Sequence, residues 1–135
     1  MKKIKSKCHC INIRRAANRI SKFYDNTLKA IGLSVNQYSL LINLSRLERS
    51  NITTLANYVD LERTTLVRTI KPLIEKQFIE DIAIEGKRDR ELVLTEKGWE
   101  KVRQGEILWT KAQNEIENRI GKENIKLLYE ILEKI

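Results

Sequence analysis

Five side chains between residues 63 and 71, namely Arg63, Thr64, Thr65, Arg68 and Lys71, are of the types that grip and read a nucleic acid. Their spacing places them along the outer side of a helix. An arginine guanidinium makes paired hydrogen bonds to a guanine edge, a threonine bonds a base edge or touches a thymine methyl, and a helix start attracts phosphate. Taken singly, Arg63 and Arg68 are equally well explained as solvated charges on an amphipathic helix. A second cationic group, Lys87, Arg88 and Arg90, follows beside Gly86. In isolation it is a charged turn that keeps a hairpin soluble. Coming directly after a reading helix, it is expected to be the tip of a wing that reaches an adjacent minor groove or the backbone.

The remaining reactive types cluster in Cys8-His9-Cys10, flanked by Lys5, Lys7, Arg14 and Arg15. Nearby positive charge favours the thiolate, the form that peroxides oxidise. Three readings stand at this point: inert thiols, a redox switch at Cys8 and Cys10, or a metal site that would need further ligands from another subunit. With one histidine, no Gly-rich phosphate loop and no nucleophile elbow, most acid–base and nucleophilic constellations cannot be assembled, so an enzyme is not expected. The best enzymatic rival is a thiol oxidoreductase using Cys8 and Cys10, which lacks the CxxC context that tunes such chemistry. No cofactor and no resident metal are expected.

These groups must be positioned by a largely helical frame. From Ile13 the residues Ala16, Ala17, Ile20, Phe23, Tyr24, Leu28 and Ile31 recur at helical spacing, predicting a first helix that ends near Gly32. Ser34 and Gln37 form a capping box for a second helix through Leu40, Leu41, Leu44 and Leu47. Thr53 is expected to cap a short third helix, and a fourth starts near Glu62 or Arg63 after a very tight turn. Two helices can cross that closely only if the first has a small residue on its inner face, and Ala56 supplies it, with Leu55, Val59, Leu61, Leu66 and Ile70 as the lock. Pro72 removes one backbone bond inside the fourth helix and is expected to bend its C-terminal half.

From Phe78 the pattern turns β-favouring: Phe78, Ile79, Ile82 and Ile84, a polar stretch from Glu85 to Arg90, then Leu92, Val93 and Leu94. A hairpin is predicted there. Thr95 and Glu96 begin a fifth helix carrying Trp99, Val102, Ile107, Leu108, Ala112, Ile116 and Ile120, and residues 122–135 form the last.

Length and charge agree with this frame. The 135 residues suit one domain, and five Gly and one Pro leave few turn formers, which favours helices on short connections. No apolar run is long enough to span a membrane, and the basic start from Met1 to Lys7 leads into Cys8 rather than an apolar signal core, so a cytoplasmic protein is expected. The formal net charge is +8, and residues 1–30 account for all of it, holding nine of the 26 basic residues and one of the 18 acids. The charge therefore favours an anionic partner without locating the reading element.

Three stretches strongly resemble the MarR family of winged-helix regulators: Thr54-Leu55-Ala56-Asn57-Tyr58-Val59-Asp60-Leu61-Glu62-Arg63-Thr64-Thr65-Leu66-Val67-Arg68, then Gly86-Lys87-Arg88, then Leu92-Val93-Leu94-Thr95-Glu96-Lys97-Gly98. The resemblance covers nearly the whole chain. It implies a mainly α fold with a small β-hairpin wing, in one MarR-like domain over 1–135: a winged helix-turn-helix lobe over 34–95 and a helical dimerisation base from 12–31 and 96–135. It also implies a homodimer on a palindromic double-stranded DNA operator, acting as a repressor released by an oxidant or small-molecule effector. Arg63, Thr64, Thr65 and Arg68 match recognition-helix positions, and Arg88 matches the arginine that enters the minor groove.

Two positions depart from the family pattern. Gly86 stands where a wing Asp usually orients that arginine, and Asp60 stands where a Gly is common. Asp89 is the expected substitute partner for Arg88 or Arg90. The family also implies a crevice for aromatic ligands, toward which Phe23, Tyr24, Tyr38, Trp99 and Trp109 are the available aromatics. A winged-helix adaptor that binds proteins without reading sequence is the remaining rival.

Overall fold

The computed structural model describes residues 5–86 and 88–135. Helix α1 (His9–Leu28) runs into a single 3-10 turn (Lys29–Ile31) and stops at Gly32, whose φ of +72° turns the chain. The helix begins earlier than the apolar pattern from Ile13 indicates. Asn12 closes a bracket with Ser6, accepting its N–H at 3.0 Å and donating to its carbonyl at 2.7 Å, and this brings Cys10 into the first turn.

Helix α2 (Val35–Leu47) starts with the expected reciprocal capping box of Ser34 and Gln37. Helix α3 (Ile52–Tyr58) is capped by Asn51 rather than by Thr53: the Asn51 side chain accepts the Thr54 N–H at 2.7 Å, and Thr53 lies inside the first turn. Asparagine is at least as good a cap as threonine, and the chain uses the earlier of two competing residues.

Helix α4 (Arg63–Glu75) follows after four residues. The turn is a Schellman closure: the Leu61 N–H reaches the Ala56 carbonyl at 2.9 Å and the Asp60 N–H reaches that of Asn57. Asp60 sits at φ +55°, a conformation that aspartate tolerates better than most side chains and that explains why glycine suits the position. Helix α4 passes through Pro72 and continues to Glu75, so the proline removes only the rung to the Arg68 carbonyl.

Strands β1 (Ile79–Asp81) and β2 (Leu92–Leu94) pair antiparallel, with Ile79 opposite Leu94 and Asp81 opposite Leu92. They are shorter than the β-favouring run, since Ile82 and Ile84 lie beyond β1 and are exposed. Ser50, just before α3, exchanges both backbone hydrogen bonds with Leu92 and so adds a one-residue third strand. Helix α5 (Glu96–Ile120) starts at the expected Thr95 cap, and after a 3-10 turn helix α6 (Ile125–Glu133) ends the fold.

The core sits under the helix-turn-helix. Leu28, Leu40, Leu41, Leu44, Leu55, Leu66, Leu73, Ile79 and Leu92 are fully buried, drawing α1, α2, α3, α4 and the hairpin into one cluster. Each such side chain contributes about 1.5–3 kcal/mol through burial. Helix α5 approaches that cluster through two glycines. A Cβ at Gly98 would lie 2.1 Å from the Phe78 carbonyl oxygen, and one at Gly105 would meet the Tyr38 ring. Because the obstacle at Gly98 is backbone, Gly98→Ala is expected to destabilise the fold by about 1–3 kcal/mol, read as a lower urea midpoint at unchanged slope.

Candidate nucleic-acid interface

Leu66, Ile70 and Leu73 turn one side of α4 into the core, and the opposite side is left to solvent. Arg63, Thr64, Thr65, Arg68 and Lys71 all lie exposed, together with Val67. All five predicted readers therefore reach solvent on α4, with Thr64, Arg68 and Lys71 sharing the side opposite the core. Arg63 donates to Thr53 Oγ1 at 3.2 Å, tying the start of α4 to the start of α3. Glu62 occupies the N-cap of α4 without a side-chain bond to the first-turn amides. The open amides and the helix dipole favour an anion at that end.

The wing tip follows in the hairpin. Gly86 turns at φ +90°, and Arg88, Asp89 and Arg90 are exposed, while Lys87 lies outside the described residues. The expected substitute partner is not Asp89. Arg90 Nη1 instead meets Asp81 Oδ2 at 3.0 Å, and Asp81 Oδ1 accepts the N–H groups of Ala83 at 3.0 Å and Glu91 at 3.1 Å. The only local sign of this role in the sequence is the tendency of aspartate to bond the backbone two residues on, as Asp81 does at Ala83. Burial acts against its charge, yet the donations from Ala83, Glu91 and Arg90 outweigh that and hold its carboxyl below the ordinary carboxylate range. A second ion pair, Arg49–Glu91 at 3.1 Å, joins the wing to the loop before α3.

The other predicted groups are scattered. Cys8 and Cys10 are exposed free thiols at the start of α1, with the Cys8 N–H held by Ser6 Oγ at 3.0 Å. Among the described residues no group of three or more His, Cys, Asp or Glu side chains converges as a metal site.

The aromatic residues do not share one crevice. Tyr38 and Trp109 line a cavity of about 420 Å³ between α2 and α5, with Val35, Ile42, Arg46, Val102 and Glu106. The Tyr38 hydroxyl donates to the Val102 carbonyl at 3.1 Å; burial first, and Glu106 second, push its pKa up. Phe23 lies in a separate apolar groove under the Arg119 guanidinium, 4.6 Å from its ring centre. Tyr24 is buried and donates to Gln113, while Trp99 lines neither space.

This combination of a tight helix pair, an outward cationic face and a braced hairpin matches known proteins. The MarR family model matches residues 33–85, the segment from Leu33 to the start of the wing turn. An uncharacterized HTH-type transcriptional regulator of Bacillus subtilis, YwoH, is 28% identical over 104 residues, covering 77% of this chain and 76% of the relative. The crystal structure of the Mycobacterium tuberculosis regulator MosR in complex with DNA is 28% identical, with a TM-score of 0.76 over 95% of this chain and 98% of that one. Over residues 33–85 the chain is similar to the MarR family. The repressor CouR, solved on a 23-mer DNA duplex, shares the fold at a TM-score of 0.84 and 20% identity over 98% of both chains.

Asp81, at the end of β1, supplies the carboxylate that bonds both sides of the hairpin mouth, while position 86 carries glycine. A carboxylate whose pKa is depressed on folding stabilises the folded form at pH above its unfolded value, and that contribution disappears as pH falls through the native value. Wing order is therefore expected to be full at neutral pH and to fail only below the ordinary carboxylate range. Amide signals of Ala83 and Glu91 followed through an acid titration check this; a change in them between pH 6 and 8 would contradict it.

Proposed function

We propose that this chain is a MarR-family transcriptional regulator, acting in the cytoplasm as a homodimeric repressor that holds a palindromic operator. The observation that carries the reading is the exposed row Arg63, Thr64, Thr65, Arg68 and Lys71 on α4, backed by a buried core and flanked by Arg88 on the wing. Such a helix enters the major groove while the wing meets the adjacent minor groove or backbone. In this reading Lys87 contributes phosphate attraction at the same tip, and Arg90 supports it from the base of the wing.

Dimerisation is favoured by the outer helices. Helix α6 buries none of its residues, and Leu127, Tyr129, Ile131, Leu132 and Ile135 are exposed, as are Ile13 and Ile20 on α1 and Ile107 on α5. An apolar surface of this kind on segments 12–31 and 96–135 calls for a second copy. The winged lobe over 34–95 is then presented twice, with the reading helices about 34–36 Å apart or a multiple of that spacing.

Two features favour a release signal. The cavity at Tyr38, Arg46 and Trp109 suits a small aromatic anion, and Cys8 and Cys10 are open to peroxide. Two thiols and one hydrogen peroxide would give one disulfide and two waters. Cys8 is the extended N-cap of α1 and Cys10 lies in its first turn, so a Cys8–Cys10 bond would rearrange the helix start.

Arg68→Ala is expected to weaken operator binding by about 1–3 kcal/mol and to relax base preference, whereas Arg88→Ala weakens binding evenly across sequences and lowers the salt slope by about 1. Fluorescence anisotropy on selected and random duplexes over a salt series separates the two. Wild type with no preference for any sequence would favour the adaptor reading instead. Peroxide is expected to lower operator affinity in the wild type and not in a Cys8→Ser, Cys10→Ser variant; loss that persists in that variant removes the thiols from the mechanism.

A further inference from the structure

We propose that Asp81 is a positioning residue for DNA binding, clamping the mouth of the wing with Arg90 and so setting the path of the tip that carries Arg88. The inference rests on the DNA-binding reading above and assigns Arg90 to the clamp rather than to the groove.

The clamp lies where the hairpin ladder runs out. The last regular pair is Asp81 with Leu92, and one further backbone bond joins the Ile82 N–H to the Glu91 carbonyl at 2.8 Å. Beyond it the chain must leave and return through an exposed turn. At that point a single carboxylate oxygen, Asp81 Oδ1, accepts an N–H from Ala83 on the outgoing side and from Glu91 on the returning side, replacing the next rung. The other oxygen takes the Arg90 guanidinium at 3.0 Å. The Asp81 side chain keeps 21% of its surface exposed, against 64% for Arg90, so the acid is the fixed element and the arginine closes over it.

The clamp is also referenced to the helix pair. Glu91 holds Arg49, and Leu92, facing Asp81, exchanges bonds of 3.1 and 2.7 Å with Ser50. Asn51, the next residue, caps α3. A short covalent and hydrogen-bonded path thus connects the tip to the start of the helix-turn-helix. Loss of the Asp81 carboxylate frees two amides and an arginine at once, and the tip then loses its fixed distance from α4.

The sign of the effect separates this role from simple charge. Removing an acid beside a DNA-binding surface should tighten binding to phosphate if only electrostatics mattered. A clamp predicts the reverse. Asp81→Ala is expected to lower operator affinity about tenfold, and Asp81→Asn, which keeps an acceptor but loses the charge, by about threefold. In an Arg88→Ala background Asp81→Ala should cost less than about twofold more, because both changes remove the same presented side chain. Unchanged or tighter binding by Asp81→Ala, or a full additive loss in the Arg88→Ala background, overturns the proposal. Far-UV circular dichroism confirms that the helices persist. Should Asp81→Ala fail to fold, Arg90→Gln serves in the same cycle with an expected loss of about threefold. Hydrogen exchange of the Ala83 and Glu91 amides in the DNA-free wild type decides the clamp independently: slow exchange at both supports it, and exchange at the rate of an open turn rejects it. Wild type that prefers no DNA sequence would defeat the DNA-binding reading, while the exchange result would still decide whether the clamp exists.

Discussion

Close approach between α3 and α4 governs what this molecule can present to a partner. Ala56 is 4% exposed and Leu55 and Leu66 are fully buried, so the two helices meet without side chains holding them apart. The Schellman closure at Asp60 satisfies the last carbonyls of α3 while reversing the chain within four residues. A larger residue at position 56 would force the axes apart. Once Leu66, Ile70 and Leu73 are turned inward, helical geometry sends Thr64, Arg68 and Lys71 outward, while Arg63, in line with Ile70, is exposed because it stands at the helix start.

The second constraint is that a hairpin with two three-residue strands cannot hold an orientation through its own ladder. Short isolated hairpins are marginal in water. Here the deficit is met from outside the strands: Ser50 supplies an extra pairing residue, Arg49 holds Glu91, and the Asp81 carboxylate links both strands where the backbone ladder ends. The wing is consequently an extension of the helix-turn-helix rather than an appendage. A carboxylate at position 81, five residues before Gly86, holds the mouth of the loop.

The helical base obeys a different logic. Gly98 and Gly105 let α5 lie against Phe78 and Tyr38, which fixes the base to the lobe at its near end. Farther along, α5 and α6 extend past the core and leave Ile107, Leu127, Ile131 and Leu132 exposed. The chain thus divides its apolar surface between a self-contained lobe and a face that water does not favour.

Periodic and capping signals were legible from the residues alone. Leucines at spacing three and four, the Ser34–Gln37 box, the Thr95 cap, the small Ala56 and the β-favouring run after Phe78 each act through neighbours within a few positions, so the order of elements and the outward row on α4 follow from local rules. Competition between adjacent caps, as between Asn51 and Thr53, depends on where the chain arrives from Ser50 and Leu92. Partners brought together from opposite sides of the hairpin, Asp81 with Arg90 and Arg49 with Glu91, escaped the pattern because nothing in their spacing distinguishes them from Asp89 or any other nearby charge. The separation of Phe23 from Tyr38 and Trp109 likewise depends on which face of each long helix meets its neighbour. Short-range periodicity determined the fold and its outward cationic face; three-dimensional proximity alone decided which charges pair and which remain free on that face, since ion pairing depends on distance through space and not along the chain.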